Sequence, residues 1–232
     1  NDTHACGCAY ERGTSPVTIR RKFIATVLAA VTTFGCVALP TASAAPASHR
    51  LVVTGSDSLA GYANTALDSW VSYSRTGSSR ALNDYNSMRD SIAAEAARRL
   101  GADPATLQAA WRRADYTHQV ALLAGFTQLG TKYRRNTSIP GVGFDCSGLT
   151  SWSWSQAGVS LFHQSAVQIQ RARRVTRDTA QAGDLVYYPG HVMLYLGVGN
   201  LIIHAPYTGR NIELSSITKS RVNSVLFGNP LG

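Results

Sequence analysis

Apolar residues recur every three or four positions across residues 58–128, which is the period of amphipathic helices packed on a common core. Gly77 interrupts the first apolar face, and Gly101 follows the second in the position of a helix C-cap. A third helix is predicted to begin at Asp103-Pro104, with Asp103 as N-cap, and a fourth to cover residues 118–129. We therefore expect a helical hairpin or bundle in this half of the chain.

After Gly130 the pattern changes to short apolar or β-branched runs separated by turn residues such as Pro189-Gly190. A helix is expected to begin near Cys146 and to stop at Gly158, and a short one to cover residues 165–171. Strands are predicted over residues 184–188, 191–196, 201–204, 211–214 and 222–227. Because the loops between them are short, neighbouring strands should be antiparallel. The predicted fold class is α+β, with the Cys146 helix on an antiparallel sheet of about five strands, preceded by a helical N-terminal region.

The N-terminal segment resembles export machinery more than a folded element. Basic residues 20–22 precede an apolar run over residues 23–39, which is followed by small residues up to Ala44. This order is typical of a signal peptide, and we expect cleavage after Ala44. A membrane-spanning anchor is the alternative, disfavoured because polar residues and Pro40 interrupt and end the run. The export route, Sec or twin-arginine, stays open.

These features predict four segments. Upstream residues and the signal peptide occupy 1–44, and a linker of small and polar residues occupies 45–57. The helical N-terminal region covers 58–117, and a second domain, rich in predicted strands, covers 118–232. The expected product is a secreted or cell-wall protein with no stable membrane anchor after signal cleavage.

The cysteine count singles out one thiol. Of the four cysteines, only Cys146 lies beyond the predicted cleavage site, so the mature chain would have no intramolecular disulfide. A lone thiol in an exported protein is exposed to oxidants, which favours a reactive role. A buried, inert cysteine remains the alternative.

The charge balance is strongly basic. The chain has 22 Lys and Arg against 13 Asp and Glu, a net charge of +9, and 44% hydrophobic residues. Such a charge on an exported protein predicts an anionic surface or polymer as a neighbour. Nucleic acid is disfavoured, because the basic residues are scattered and are not interleaved with aromatic residues.

Cys146 and two histidines have the elements of a nucleophilic site. A helix N-terminus should favour the thiolate of Cys146. His191 opens one predicted strand and His204 closes the next, so an antiparallel pair would bring them side by side. This pattern predicts a Cys-His-His relay. A zinc site on the same three residues is the other reading, but no fourth ligand lies at close spacing, and no metal or cofactor is expected.

Four linked motifs carry a family resemblance. They are F-D-C-S-G-L-T at 144–150, A-G-D-L-V-Y-Y at 182–188, G-H-V-M-L-Y-L-G at 190–197 and I-H-A-P at 203–206. Their order and spacing resemble those of the NlpC family of cell-wall cysteine peptidases, over about residues 118–230. The resemblance implies a papain-like fold and cleavage of peptidoglycan stem peptides, commonly between γ-D-glutamate and diaminopimelate. A monomer acting on stem peptides, without a cofactor, is the expected form.

Residue roles follow from this resemblance. It implies that Cys146 is the nucleophile, His191 the general base and later acid, and His204 the residue that orients His191. Tyr133 is similar to a family tyrosine that lines the cleft, and Asp145 and Ser147 match residues that contact the stem peptide. For Asp145 a plain helix N-cap role stays open beside the substrate role.

The chain departs from the family pattern at two places. Lys132 and residues 134–136 make the expected cleft rim basic, where family members have Pro before the tyrosine and W-G-G-like residues after it. His163 stands where members tend to carry an arginine, so the preference for a substrate carboxylate is predicted to be weaker or redirected. An amidase of the CHAP type and a non-catalytic basic wall-binding module are the two rival functions.

Overall fold

The computed structural model describes residues 53–232. The predicted signal peptide, its cleavage after Ala44 and the first part of the predicted linker lie outside the described residues. Among the helices of the described part, none combines the length and the apolarity needed to cross a bilayer.

Six helices form where the sequence predicts them. They are α1 Ser58–Thr76, α2 Ser79–Arg99, α3 Pro104–Arg113, α4 Tyr116–Thr127, α5 Cys146–Gln156 and α6 Ser165–Arg171. Gly77 ends α1 in the left-handed conformation at φ 67°, and its N–H donates to the carbonyl of Tyr73. Asp103 caps α3 by accepting from the N–H of Thr106, as predicted.

Eight strands form two sheets within the described residues. They are β1 Ser138–Ile139, β2 Gly143–Phe144, β3 Arg173–Val175, β4 Leu185–Tyr188, β5 His191–Tyr195, β6 Leu201–His204, β7 Glu213–Ser216 and β8 Leu226–Asn229. Strands β1 and β2 make a small hairpin just before α5. The other six form one antiparallel sheet in the order β3-β8-β4-β5-β6-β7.

The sheet differs from the predicted one in three respects. It has six strands because β3 pairs with β8. No apolar run marks β3 in the sequence, since Arg173 and Arg174 are polar and exposed. Strands β7 and β8 overlap the predicted runs at 211–214 and 222–227, but each begins and ends a few residues later. Pairing with β6 and β4, rather than the position of the apolar run, decides where these strands begin.

The helices and the sheet share one hydrophobic core. Its buried members come from α1 to α5, from α6 and from one face of the sheet. Trp111 on α3 is buried there, packs edge-on against Phe126 with ring centroids 5.1 Å apart, and donates its indole N–H to the carbonyl of Leu196 at 3.0 Å. A smaller cluster, including Met193 and Phe227, covers the other face of the sheet. The predicted α+β class, with the cysteine helix packed on an antiparallel sheet, is confirmed.

Candidate active site

Cys146 is the first residue of α5, and the local sequence explains why the helix starts there. Asp145 adopts an extended conformation as the N-cap, and its Oδ1 accepts from the N–H of Gly148 at 2.7 Å. Helix α5 packs on β5, the strand that begins with His191. The nucleophile candidate is thereby held at a helix N-terminus facing the sheet.

The thiol of Cys146 is partly buried, and this decides its protonation. Burial raises its pKa, while the backbone N–H groups of Val192, Ser147 and Cys146 itself lower it without outweighing burial. The expectation that the helix N-terminus would make the thiolate the favoured form is therefore wrong. In the resting state a neutral thiol lies against the N–H of Val192, the residue that follows His191.

His191 and His204 lie side by side on neighbouring strands, as the sequence predicts. Nε2 of His191 and Nδ1 of His204 are 2.9 Å apart, a hydrogen bond between the rings. Burial lowers the pKa of His191 to about 4, helped by repulsion from His204. Burial, helped by Arg210, also lowers the pKa of His204 to about 4. Both rings are therefore neutral at physiological pH, and Nδ1 of His191 forms no hydrogen bond with any other described residue.

The geometry of the rings does not suit the alternative zinc site. The hydrogen bond joins a nitrogen of His191 to a nitrogen of His204, so these two atoms cannot bind a common ion. In residues 53–232 there is no group of three or more metal-ligand side chains close enough to hold a metal ion.

The carboxylate of Asp145 makes more hydrogen bonds within the protein than its predicted role in substrate binding would suggest. Oδ1 also contacts Ser147 Oγ at 3.2 Å and His163 Nε2 at 2.8 Å, and Oδ2 accepts from the N–H of Asn136 at 2.8 Å. The N-cap role that the sequence left open is thus present. His163, in the position of the family arginine, binds Asp145 and so ties the loop after α5 to the start of the helix.

Two tyrosines flank Cys146. Burial raises the pKa of Tyr133, and the negative charges that Cys146 and Asp145 can carry raise it further. Tyr188 behaves similarly, since burial and Cys146 raise its pKa while Arg221 lowers it. The Tyr188 ring lies 5.2 Å from that of His191. Sequence analysis identified Tyr133 but missed Tyr188, although the two-residue turn to His191 places Tyr188 opposite it in the register.

A buried glutamine, also missed, fixes the loop between α5 and α6. Gln168 donates to the carbonyls of Ser147 at 2.9 Å and Phe162 at 2.7 Å, and accepts from the hydroxyl of Thr150 at 2.6 Å. A glutamine on a short helix carries no sequence signal for such a role, because its partners lie on other segments.

Glu213 was missed as well. It lies directly opposite His204 in the pairing of β6 with β7, and its Oε1 is 3.5 Å from His204 Nε2. Arg210 holds the Glu213 carboxylate with contacts of 2.7 and 2.6 Å. Only the strand register shows that Glu213 is a neighbour of His204. The predicted strand at 211–214 begins and ends earlier than the observed β7, so the sequence did not indicate this pairing.

The cations of the predicted basic rim lie at the surface. Lys132, Arg134 and Arg135 are all exposed, and none forms an ion pair with another described residue. The stem of Arg134 lies over Gly143, next to the β1–β2 hairpin. These cations precede Cys146 on the loop that borders the site.

Curated relatives match between 34% and 38% of the chain. The peptidoglycan endopeptidase RipA of Mycolicibacterium smegmatis is 36% identical over 83 residues, covering 34% of this chain and 16% of that protein. The dipeptidyl-peptidase 6 of Lysinibacillus sphaericus is 38% identical over 90 residues, covering 38% and 32%. A probable endopeptidase of Corynebacterium glutamicum is 41% identical over 92 residues, covering 38% and 43%. The chain therefore aligns with less than half the length of each of these relatives.

Solved structures include a lipoprotein-like NLP/P60 protein from Staphylococcus aureus, 29% identical with a TM-score of 0.44, covering 50% of this chain and 42% of that one. RipD of Mycobacterium tuberculosis, described as a non-catalytic NlpC/p60 domain protein adapted to peptidoglycan binding, is 24% identical with a TM-score of 0.41, covering 50% and 98%. The NlpC/P60 family model matches residues 130–229, a range that includes Cys146, His191 and His204. Residues 130–229 of this chain are an NlpC/P60 domain.

Proposed function

We propose that the chain is a secreted cysteine endopeptidase that hydrolyses peptidoglycan stem peptides, at the bond between γ-D-glutamate and diaminopimelate, through a Cys-His-His acyl-enzyme mechanism. One observation carries the proposal. The thiol of Cys146 lies at the start of α5 against the N–H of Val192, the residue that follows His191, and Nε2 of His191 is bonded to His204. Relatives named as peptidoglycan endopeptidases support the substrate class.

The first half of the reaction transfers a proton and makes a carbon–sulfur bond. His191 is neutral and its Nδ1 is free, so it accepts the thiol proton of Cys146 as Sγ attacks the amide carbon. The charge that develops on the carbonyl oxygen is stabilised by N–H groups at the start of α5 and by the hydroxyl of Tyr133. His204 holds the imidazolium of His191 through the Nε2···Nδ1 bond.

The second half releases both products. The protonated His191 donates its proton to the leaving amine as the carbon–nitrogen bond breaks, which leaves an acyl thioester on Cys146. Water then attacks the thioester carbon, His191 accepts a proton from that water, and the thiol is regenerated as the carbon–sulfur bond breaks. The raised pKa of the thiol and the lowered pKa of the imidazole favour transfer of the proton together with the attack.

The surroundings of the site fit a peptide in an anionic wall. Lys132, Arg134 and Arg135 border it and are exposed, so they favour anionic groups of stem peptides or of a neighbouring wall polymer. Because His163 is bound to Asp145, it contributes less to carboxylate binding than a free arginine would. The choice of the cleaved bond is therefore a more specific proposal than the reaction mechanism. A monomer acting outside the cell is the form that we propose.

Product analysis on purified peptidoglycan tests this function. Mass spectrometry should detect stem peptides cut between γ-D-glutamate and diaminopimelate, and Cys146→Ala should reduce their release by at least about 10⁴-fold, since the nucleophile is lost. Cys146→Ser is the matched control, because it keeps a hydroxyl nucleophile in the same volume.

Two other results would replace the proposal. Release of intact stem peptides would identify an amidase of the CHAP type, and binding to peptidoglycan with no fragments released would identify a non-catalytic wall-binding module. Wild-type turnover in Cys146→Ala would refute the nucleophile assignment.

A further inference from the structure

We propose that Glu213 is a positioning residue that sets the tautomers of the histidine pair, so that Nδ1 of His191 is left unprotonated and ready to accept the thiol proton of Cys146. This inference rests on the proposed function. The observation behind it is the line of contacts from Arg210 through Glu213 and His204 to His191, on neighbouring strands of the sheet.

The first step concerns the far nitrogen of His204. Nε2 of His204 is buried and has no hydrogen-bond partner in the part of the chain that the structure describes. A buried polar nitrogen without a partner costs free energy, so an acceptor within reach is expected to be used. Oε1 of Glu213 lies 3.5 Å away, at the outer limit of hydrogen-bond range.

The second step concerns why Glu213 is held there. Strand register pairs His204 directly with Glu213, and directly opposite residues on one face have their side chains close together. Arg210, three residues before, donates to both oxygens of the carboxylate, which fixes the orientation of Glu213. An ionised carboxylate can only accept, so the facing nitrogen of His204 must carry the proton.

The tautomer of His204 determines the tautomer of His191. If Nε2 of His204 carries its proton, the neutral ring has Nδ1 as an acceptor. The hydrogen bond between the rings then requires Nε2 of His191 to be the donor. A neutral His191 protonated on Nε2 has a lone pair on Nδ1, which is the state that a general base needs. The opposite set of tautomers would place a proton on Nδ1 of His191 and block deprotonation of Cys146.

The charged groups around the pair agree with this assignment. Arg210 and Glu213 come from the turn before β7 and from β7, and the Tyr188 ring on β4 lies 5.2 Å from that of His191. Helix α5, which begins with Cys146, packs on β5. Among these groups, Glu213 is the one that carries a full negative charge next to His204. When His191 becomes protonated during the reaction, that charge also stabilises the pair.

Nitrogen-15 NMR of the histidine rings tests the tautomers without any substrate. Wild-type protein should show the Nε2–H form for His191 and His204, assigned by comparison with His191→Asn and His204→Asn variants among the 6 histidines of the chain. Glu213→Ala should lose the single Nε2–H form of His204 and populate the Nδ1–H form. An unchanged ring spectrum in Glu213→Ala would overturn the proposal.

Kinetics supply the second readout. Glu213→Ala should lower kcat by about 10- to 100-fold with little change in KM, because the base is misprotonated while substrate contacts remain. Glu213→Gln should recover part of the loss, since its amide oxygen can still accept from His204. Glu95→Ala on α2 is the matched control, because Glu95 also binds arginines near the surface, and its kcat should match that of the wild type.

Each remaining outcome has a defined meaning. If Glu213→Ala does not fold, Glu213→Leu keeps the side-chain volume without an acceptor, and the same spectra and rates apply to it. Equal losses in Glu213→Gln and Glu213→Ala without a change of tautomer would show a merely structural role and overturn the proposal. If the wild type releases no peptidoglycan fragments, the proposed function fails, while the NMR result still decides the role of Glu213.

Discussion

At the scale of single residues, the site is defined by neutral groups in a buried setting. Burial raises the pKa of the Cys146 thiol and lowers the pKa of both histidines to about 4, which favours the neutral form of all three groups. Burial is the first cause in all three cases. The hydrogen bond between His191 and His204 therefore supports a neutral base, and charge appears only during the reaction.

This protonation state predicts how activity depends on pH. His191 acts as a base only when it is neutral, and because its pKa is lowered to about 4, kcat/KM should stay within about twofold between pH 7 and pH 5 and fall below about pH 4. The measurement is kcat/KM on a soluble stem peptide across this range. An acid limb centred near the ordinary histidine value of about 6.5 would contradict it.

Acid unfolding must be separated from loss of the base. Neutral, buried His191 and His204 contribute stability that is present above the unfolded pKa of about 6.5 and is lost as pH falls through about 4. Circular dichroism at each pH provides the control, since activity lost with an intact spectrum belongs to titration of the base.

At the scale of elements, helix α5 is held by a cap, by hydrogen bonds to the segments that follow it and by packing on two neighbouring elements. Asp145 caps its first turn, His163 and Gln168 tie it to the loop and helix that follow, and its faces pack against α4 and β5. Gly148, in the first turn of α5, permits the backbone of Thr137 and the ring of His163 to approach the helix closely. A Cβ there would overlap the carbonyl oxygen of Thr137 and lie 2.9 Å from His163 Nε2. The glycine of the D-C-S-G motif thus serves packing beside the nucleophile.

Two helical glycines should respond to alanine with opposite signs. Gly148→Ala should lower the free energy of unfolding by about 1–3 kcal/mol, because backbone must move, and should also reduce kcat by shifting the loop around Thr137. Gly61→Ala on α1 meets nothing within 4 Å and should raise stability by up to about 1 kcal/mol. Urea denaturation measures both, and equal effects of the two changes would refute the packing argument.

At the scale of the whole described chain, the helical region and the sheet are joined through buried polar contacts as well as the shared core. His118 on α4 is fully buried, with Nε2 3.0 Å from Asp184 Oδ1 and Nδ1 2.7 Å from Asp115 Oδ2. Burial lowers the pKa of His118, but the bonds to Asp184 and Asp115 outweigh it, so the net shift is upward. Asp184 directly precedes β4, so this contact links a helix to the sheet.

A pH-dependent contribution to stability follows from this buried histidine. Because its folded pKa is raised, the stabilisation is fully present below the unfolded value and is lost as pH rises through the folded pKa. His118→Gln should therefore lower the free energy of unfolding more at about pH 6 than at about pH 9, as measured by urea denaturation. Asp115→Asn, which removes one carboxylate, should reduce that pH difference. The same loss at both pH values would show that His118 is neutral throughout.

Much of this architecture could be predicted from local sequence signals. Apolar periodicity marked α1 to α3, and Asp103 and Gly77 marked helix ends, because caps and left-handed glycines act within one turn. Turn residues between β4, β5 and β6 indicated antiparallel neighbours, and so the pairing of His191 with His204. By contrast, β3 has no apolar run of its own and forms only because β8 offers an edge.

The sequence by itself indicated a candidate nucleophile, the two histidines and the order of the elements, since each depends on residue type and near neighbours. Tertiary structure decided the protonation states, because burial and distant partners set the pKa of Cys146 and His191. It also brought Glu213 opposite His204, through a strand register that started two residues later than predicted. The local sequence therefore indicated which residues could react, and long-range packing decided their protonation states.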